Sequence, residues 1–126
     1  MVSETFVPWP TQVGAARHFA RSVATELGCD ADDLELVVSE LATNACVHAH
    51  SPFTVSLSRT GTRLMVEVTD EDPAAVTLKP IACEATAGRG MQIVNSLAVA
   101  WGVRDSPPLG KSVWAELNCW LIRPPN

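Results

Sequence analysis

Three polar side chains recur at helical spacing around residue 44. Glu40, Asn44 and His48 follow one another at intervals of four residues, so they form a stripe along the edge of a helix's apolar face. A carboxylate at Glu40 could take a proton from a hydroxyl or position a water. The Asn44 oxygen is a hard ligand that suits Mg²⁺. A solvated glutamate with a locally bonded asparagine is the other interpretation, because this spacing is common by chance.

A second carboxylate ends the segment Arg63–Asp70, whose alternating residues predict a β-strand. Side chains alternate along a strand, and Asp70 lies an even number of residues after three apolar residues of this segment. Its side chain is therefore expected on the same face as theirs, toward the core. A buried, unpaired carboxylate costs several kcal/mol, so Asp70 needs a donor, and the exocyclic amine of adenine would serve. The alternative is a turn residue beyond a frayed strand end. The apolar residues of the same parity are Leu64, Val66 and Val68.

A glycine-rich step, Gly88-Arg89-Gly90, precedes the predicted helix Met91–Leu97. Glycine lets the backbone approach a ligand closely, and a helix N-terminus offers N–H groups that suit phosphate. A plain flexible entry to the helix explains the same residues. The step is neither a Walker loop nor a Rossmann turn, since the further glycines and the lysine of those motifs are absent.

The elements that must position these groups follow from hydropathy patterns. Thr11 and Asp30 are expected to cap two amphipathic helices. Residues 73–87 show no clear periodicity and are predicted to form a loop. The order β-α-α-β-β-loop-α-β-β predicts an α+β fold, a two-layer α/β sandwich whose mixed, mostly antiparallel sheet carries helices on one face. The predicted elements are strand Thr5–Trp9, helices Gln12–Leu27 and Asp30–Ala49, strands Phe53–Arg59 and Arg63–Asp70, helix Met91–Leu97, and strands Val99–Arg104 and Ser112–Leu121.

Composition narrows the function. The chain has 126 residues, a formal net charge of −5 and only 9 Lys and Arg, which are scattered. We therefore expect no direct nucleic-acid partner, because no basic stripe could neutralise phosphates along a duplex. No apolar run approaches the roughly 20 residues that cross a bilayer, so no membrane association is expected.

The cysteines and the first residues predict a location. Cys29, Cys46, Cys83 and Cys119 form no C-x-x-C pair and no zinc spacing with histidine. We expect buried or half-buried thiols in a reducing compartment. Met1–Pro10 lacks the basic and apolar regions of a signal peptide, and the predicted location is therefore cytoplasmic.

Together and in this order, the motifs resemble the GHKL (Bergerat-fold) ATP-binding superfamily, and within it the anti-sigma-factor serine/threonine kinases. Glu40–Ala49 (Glu-Leu-Ala-Thr-Asn-Ala-Cys-Val-His-Ala) resembles the N box. Asp70–Pro73 stands where the first glycine box begins, Gly88–Val94 resembles the second, and Gly110–Trp114 (Gly-Lys-Ser-Val-Trp) resembles the last motif. The resemblance extends from about Phe6 to Leu121, and it implies a histidine-kinase-like ATPase domain over residues 1–126.

The resemblance implies a role for each matching residue. Glu40 would be the general base that acts on the substrate hydroxyl, and Asn44 would ligate Mg²⁺ at the phosphates of ATP. Asp70 would bind the adenine amine, and His48 could hold Glu40 or Asn44 in place. Residues 73–87 would form the ATP lid. The implied nucleotide-binding set is Asn44, His48, Asp70, Asp72, Gly88, Arg89, Gly90, Met91 and Ser112.

The resemblance also implies partners. The family's substrate is a serine or threonine of a STAS-type anti-anti-sigma protein, its other partner is a sigma factor, and homodimers form through the sheet edge and first helix. Two positions depart from the family pattern: Asp72 replaces a glycine, and Ser112 replaces a threonine. The extra carboxylate of Asp72 near the adenine pocket could weaken ATP binding. A non-catalytic ATP-binding regulatory module is therefore the alternative. A two-component sensor fits less well, since no dimerisation helix with a phospho-accepting histidine is present.

Overall fold

The computed structural model describes residues 1–49, 51–71, 85–105 and 110–122. In the described part of the chain, three α-helices and five strands follow the predicted order. None of the described helices is long and apolar enough to cross a membrane. The elements are β1 (Val2–Phe6), α1 (Thr11–Glu26), α2 (Asp32–Asn44), a π-helical turn (Ala45–Ala49), β2 (Phe53–Thr60), β3 (Arg63–Asp70), α3 (Ala85–Leu97), β4 (Ala100–Asp105) and β5 (Lys111–Asn118).

The five strands form one antiparallel sheet in the order β1-β2-β3-β5-β4. The predicted α+β two-layer architecture is therefore confirmed. β3 lies at the centre, between its hairpin partner β2 and the late strand β5. In this register Asp70, the last residue of β3, lies opposite Phe53 on one side and Lys111 on the other.

The core lies between the sheet and the helices on one face. Every second residue of the central strands is buried, as the alternation predicts, and α1 and α2 pack on each other while α2 contacts β3 and β5. Each fully buried Val, Leu or Phe contributes roughly 1.5–3 kcal/mol through removal of apolar surface from water. The strand residues of this core include Phe53, Val55, Leu57, Leu64, Val66, Val68, Val113, Ala115 and Leu117.

The ends of the first two helices were predicted closely, but neither predicted cap residue occupies the cap position. Gly28 ends α1 with a φ of +83°, a conformation that favours glycine. The cap position of α2 is Ala31, which has no capping side chain, and Asp30 lies one residue earlier, where it accepts a hydrogen bond from the Asp32 backbone N–H at 2.9 Å. Thr11 does not cap α1, because the helix begins at Thr11 itself with Pro10 in the cap position and no capping side chain.

Two of the four cysteines are paired, so the prediction of reduced thiols is wrong for them. Cys29 and Cys119 form a disulfide across 90 residues of sequence. Cys46 is a free, buried thiol, and burial raises its pKa above the ordinary value. Cys83 lies outside the described residues. The disulfide removes the reduced-thiol basis for a cytoplasmic location, which stays a prediction.

Candidate functional site

Two of the three residues of the predicted polar stripe, Glu40 and Asn44, lie on α2 where their spacing predicts. Glu40 and Asn44 are both half-buried, while Val37 and Leu41 beside them are buried in the core. A carboxylate and a carboxamide therefore sit one helical turn apart at the boundary between the apolar core and the surface. This placement makes both side chains accessible to a ligand without removing them from the rigid helix.

Asn44 contacts the glycine-rich motif of α3. Its side-chain nitrogen Nδ2 donates to Sδ of Met91 at 3.6 Å, and Met91 is itself buried. Because a thioether sulfur can only accept, this contact leaves the Asn44 oxygen as the atom that can ligate a cation. Two motifs that lie 47 residues apart in sequence thus meet at one position, where α2 packs against α3.

Asp70 is buried on the helix-covered face of the sheet, as predicted. Its side chain forms an ion pair with Lys111, whose Nζ lies 2.5 Å from the Asp70 Oδ2. Only 4% of Asp70 and 2% of Lys111 is exposed to solvent. The carboxylate predicted to need a donor therefore has a cationic one on the neighbouring strand.

The end of α2 lies close to the end of β3. The π-helical turn that continues α2 contacts β3. Beyond it, the Ser51 hydroxyl accepts a hydrogen bond from the Glu71 backbone N–H at 3.0 Å. Phe53 then enters the sheet opposite Asp70. The C-terminal end of α2, which carries Asn44, and the end of β3, which carries Asp70, therefore lie in the same region of the fold.

A family comparison decides the class to which this arrangement belongs. The histidine kinase-like ATPase domain matches the chain over residues 6–117. The chain belongs to this family. No match was found among curated proteins. Family membership thus supports ATP binding, which the motifs predicted, as the general function of this domain.

The metal requirement of a histidine kinase-like ATPase domain fits the donors present. In the described part of the chain, no cluster of three or more His, Cys, Asp or Glu side chains could hold a metal ion. Mg²⁺ commonly keeps several waters and takes most of its other ligands from phosphate, so it does not need such a cluster. In such a site the Asn44 carboxamide oxygen would be the protein's contribution.

The Gly88–Gly90 segment was predicted to precede the third helix, but it lies within that helix. In this histidine kinase-like ATPase domain α3 begins at Ala85, six residues before Met91, and Gly88–Gly90 are helical. Ala85 and Ala87 favour a helix, but Gly88 and Gly90 each disfavour it by about 1 kcal/mol, so local propensity does not explain the earlier start. Only the first four N–H groups of a helix lack an intrahelical partner, so the Gly90 amide is not among them.

Ser112 is not brought to Asp70. Side chains alternate along a strand, so Ser112 and its partner Thr69 face the side of the sheet away from the helices, where their hydroxyl oxygens lie 2.7 Å apart. Within the Gly110–Trp114 motif, Lys111 is the residue whose side chain contacts Asp70. Its place in the site was missed because the last strand was predicted to begin at Ser112, one residue late.

Several predicted contacts fall outside the described residues. Asp72 and residues 73–84 of the proposed lid belong to this part, and residues 85–87 lie in α3. The backbone of His48 forms part of the π-helical turn, but its side chain and that of Arg89 are not described. The roles assigned to these side chains stay predictions.

Gly110 permits the close approach that places Lys111 beside Asp70. Its φ is +120°, and a Cβ added there would overlap the backbone oxygen of Asp70. A side chain at this position would therefore strain its own backbone and push β5 away from the end of β3. The glycine is a structural requirement of the buried ion pair.

Gly110→Ala is expected to destabilise the fold by more than the roughly 1–3 kcal/mol of backbone strain alone, because the steric overlap adds to it. Gly61→Ala is the matched control, since Gly61 also has a positive φ of +60° but has nothing within 4 Å of an added Cβ. Denaturant unfolding of the two variants measures the difference. Equal losses of stability in both would show that the approach to Asp70 is not constrained.

Proposed function

We propose that this protein is an ATP-dependent serine/threonine protein kinase that also acts as an anti-sigma factor. The observation that carries the proposal is the placement of Glu40 and Asn44 one helical turn apart on the half-buried edge of α2. That pair adjoins the glycine-rich motif through Met91. Membership of the histidine kinase-like ATPase family supports the nucleotide part of the proposal.

Glu40 would act as the general base toward the hydroxyl of the protein substrate. Its position one turn before Asn44 is suitable, because the nucleophile must approach the terminal phosphate that the metal site holds. Phosphoryl transfer depends mainly on positioning and on neutralisation of charge. A carboxylate on a rigid helix satisfies the positioning requirement without any loop movement.

Asn44 would hold Mg²⁺ through its side-chain oxygen, and the bound ion would supply neutralisation of phosphate charge. Asp70 would accept a hydrogen bond from the adenine amine. Contact of the phosphates with the Gly88–Gly90 amides requires the first turns of α3 to unwind. Each glycine in a helix interior is roughly 1 kcal/mol less favourable than alanine, which lowers the cost of that unwinding.

The proposed protein partners rest on the resemblance of the four motifs. The substrate would be a serine or threonine on a STAS-type anti-anti-sigma protein, and the regulated partner would be a sigma factor. A homodimer through the sheet edge and the first helix is part of the same proposal. β1 is an edge strand, and its residues Val2–Thr5 are exposed, so this edge is accessible to a second chain.

The test is incubation of the purified protein with γ-labelled ATP, Mg²⁺ and candidate STAS proteins. Label on a serine or threonine of one STAS protein is the expected result, and it should require both the kinase and Mg²⁺. Complete absence of transfer to every STAS protein of the same genome, at saturating ATP, would contradict the kinase proposal.

The second candidate is a non-catalytic ATP-binding regulatory module. Asp72, which stands two residues after Asp70 where the family pattern has glycine, favours it, because a further carboxylate in this motif opposes binding of an anionic nucleotide. Calorimetry with ATP and ADP distinguishes the two functions. Saturable binding of both nucleotides, with no transfer and no hydrolysis, would support the module.

A further inference from the structure

The side-chain carboxamide of Asn44 has two chemically different ends, and the protein holds only one of them. Its Nδ2 donates to the Met91 Sδ at 3.6 Å, whereas no described residue donates a hydrogen bond to its oxygen. Among the described residues, every buried side-chain oxygen and nitrogen has a partner, so this unpaired oxygen is one that solvent or a ligand can reach. A carboxamide that could turn freely would also present its NH₂ group, which donates hydrogen bonds and cannot ligate a cation.

Met91 selects between the two orientations of this carboxamide. A thioether sulfur accepts a hydrogen bond but has no hydrogen to donate. With the amide turned the other way, the Asn44 oxygen would lie against the sulfur, and two acceptors would meet without a hydrogen between them. The contact therefore favours the orientation that directs the oxygen away from Met91 and toward the surface.

The core holds the sulfur in place. Only 7% of Met91 is exposed, and Val94, three residues later on α3, is fully buried. Met91 directly follows Gly90, so the part of α3 that is anchored in the core begins where the Gly88–Gly90 segment ends. Unwinding of the first turns of α3, which the proposed function requires, leaves the contact between Met91 and Asn44 intact as long as it stops at Gly90.

We propose that Met91 is a positioning residue, which holds the Asn44 carboxamide with its oxygen toward the Mg²⁺ ion that accompanies the nucleotide. This inference rests on the proposed nucleotide-binding function. Met91 acts through Asn44 and is not itself a ligand, because Mg²⁺ takes hard oxygen ligands and a thioether is soft. Its effect is therefore expected in the dependence of ATP affinity on Mg²⁺.

The first test measures ATP affinity by calorimetry with Mg²⁺ and with a chelator, and takes the ratio of the two affinities. Met91→Leu keeps an apolar side chain of similar volume but removes the acceptor. We expect the ratio to fall by about two- to tenfold, the range for the loss of one neutral hydrogen bond. Met65→Leu is the matched control and should keep the wild-type ratio, because Met65 lies on β3 between two buried residues and faces away from the core.

The second test observes the carboxamide itself in protein without nucleotide. NMR of isotope-labelled protein detects the side-chain NH₂ group of Asn44, and Asn44→Ala identifies its signals. We expect Met91→Leu to shift these signals toward those of a solvated carboxamide, whereas Met65→Leu should leave them in place. If Met91→Leu fails to fold, incorporation of norleucine into the Met65→Leu protein replaces the sulfur of Met91 by a methylene group, and Met1 is then the other position exchanged.

The outcomes separate this inference from the proposed function. A wild-type ratio and unmoved Asn44 signals in Met91→Leu would overturn the role of Met91 while leaving Mg²⁺-dependent ATP binding established. Either change without the other would also overturn it, because Met91 is proposed to act on the ion through Asn44. Absence of ATP binding by the folded wild type, or ATP binding that does not respond to Mg²⁺, would contradict the proposed function, and this inference with it.

Discussion

Glu40→Gln is expected to lower phosphoryl transfer by about 10²–10⁴-fold, the usual contribution of a general base. Glutamine keeps the size of the side chain and its place on the half-buried edge of α2, but it cannot accept the proton of the substrate hydroxyl. ATP affinity should stay within about twofold, because the proposed nucleotide contacts are those of Asn44 and Asp70. Single-turnover transfer at saturating ATP measures the first quantity, and calorimetry the second.

Glu35→Gln is the charge-matched control for this experiment. Glu35 lies on the same helix and accepts a hydrogen bond from the exposed Arg21 at 2.6 Å, an interaction that ties α2 to α1. Exposed ion pairs of this kind contribute about 0–1 kcal/mol, so the control should fold and transfer normally. Transfer at the wild-type rate by Glu40→Gln would remove the base role from Glu40.

Reduction of the disulfide is expected to lower the free energy of unfolding by about 4–5 kcal/mol, which is roughly a 10³-fold change in the folding equilibrium. Cys29 and Cys119 are 90 residues apart, so their bond greatly limits the conformations of the unfolded chain. Denaturant unfolding with and without reductant measures the loss, and Cys29→Ala with Cys119→Ala should reproduce it.

Cys46→Ala is the control for the disulfide experiment. Cys46 is also buried but unpaired, so its substitution removes a sulfur atom from the core without affecting a cross-link. Reductant should have its full effect on this variant. A reduced wild type whose stability lies within about 1 kcal/mol of the oxidised protein would contradict the cross-link's expected contribution.

The disulfide reinforces a junction that the backbone also makes. The Asp30 N–H donates to the Trp120 carbonyl at 2.6 Å, and the Ile122 N–H donates to the Gly28 carbonyl at 3.2 Å. The turn between α1 and α2 is thereby attached to the residues that follow β5. The junction thereby fixes the start of α2 to the end of β5, whereas Asn44 and Lys111 lie at the opposite ends of these two elements.

The hairpin and the second helix could be predicted because their signals are local. Burial alternates along most of β2 and along β3, and Gly61-Thr62 forms the turn between them. The half-buried positions of Glu40 and Asn44 follow from the 3.6-residue period of α2 alone. For these groups, the burial that the structure shows is the burial that the spacing predicts.

The missed features depend on contacts between distant parts of the chain. Lys111 meets Asp70 across 41 residues, and its core parity becomes visible only when the strand is extended by one residue to include it. The pairing of Cys29 with Cys119 requires the sheet order, which a pattern of cysteines cannot supply. The early start of α3 could not be predicted from local propensity, because Gly88 and Gly90 oppose a helix there.

Calorimetric titration of the folded wild type with ATP, with and without Mg²⁺, tests the central claim most directly. The account predicts saturable one-to-one binding that weakens when Mg²⁺ is chelated, and it predicts that Asn44→Ala binds ATP with the same affinity in either condition. Thr43→Ala, the exposed neighbour on α2, should retain the metal dependence. Absence of binding at millimolar ATP, in protein whose unfolding transition shows it to be folded, would contradict the account.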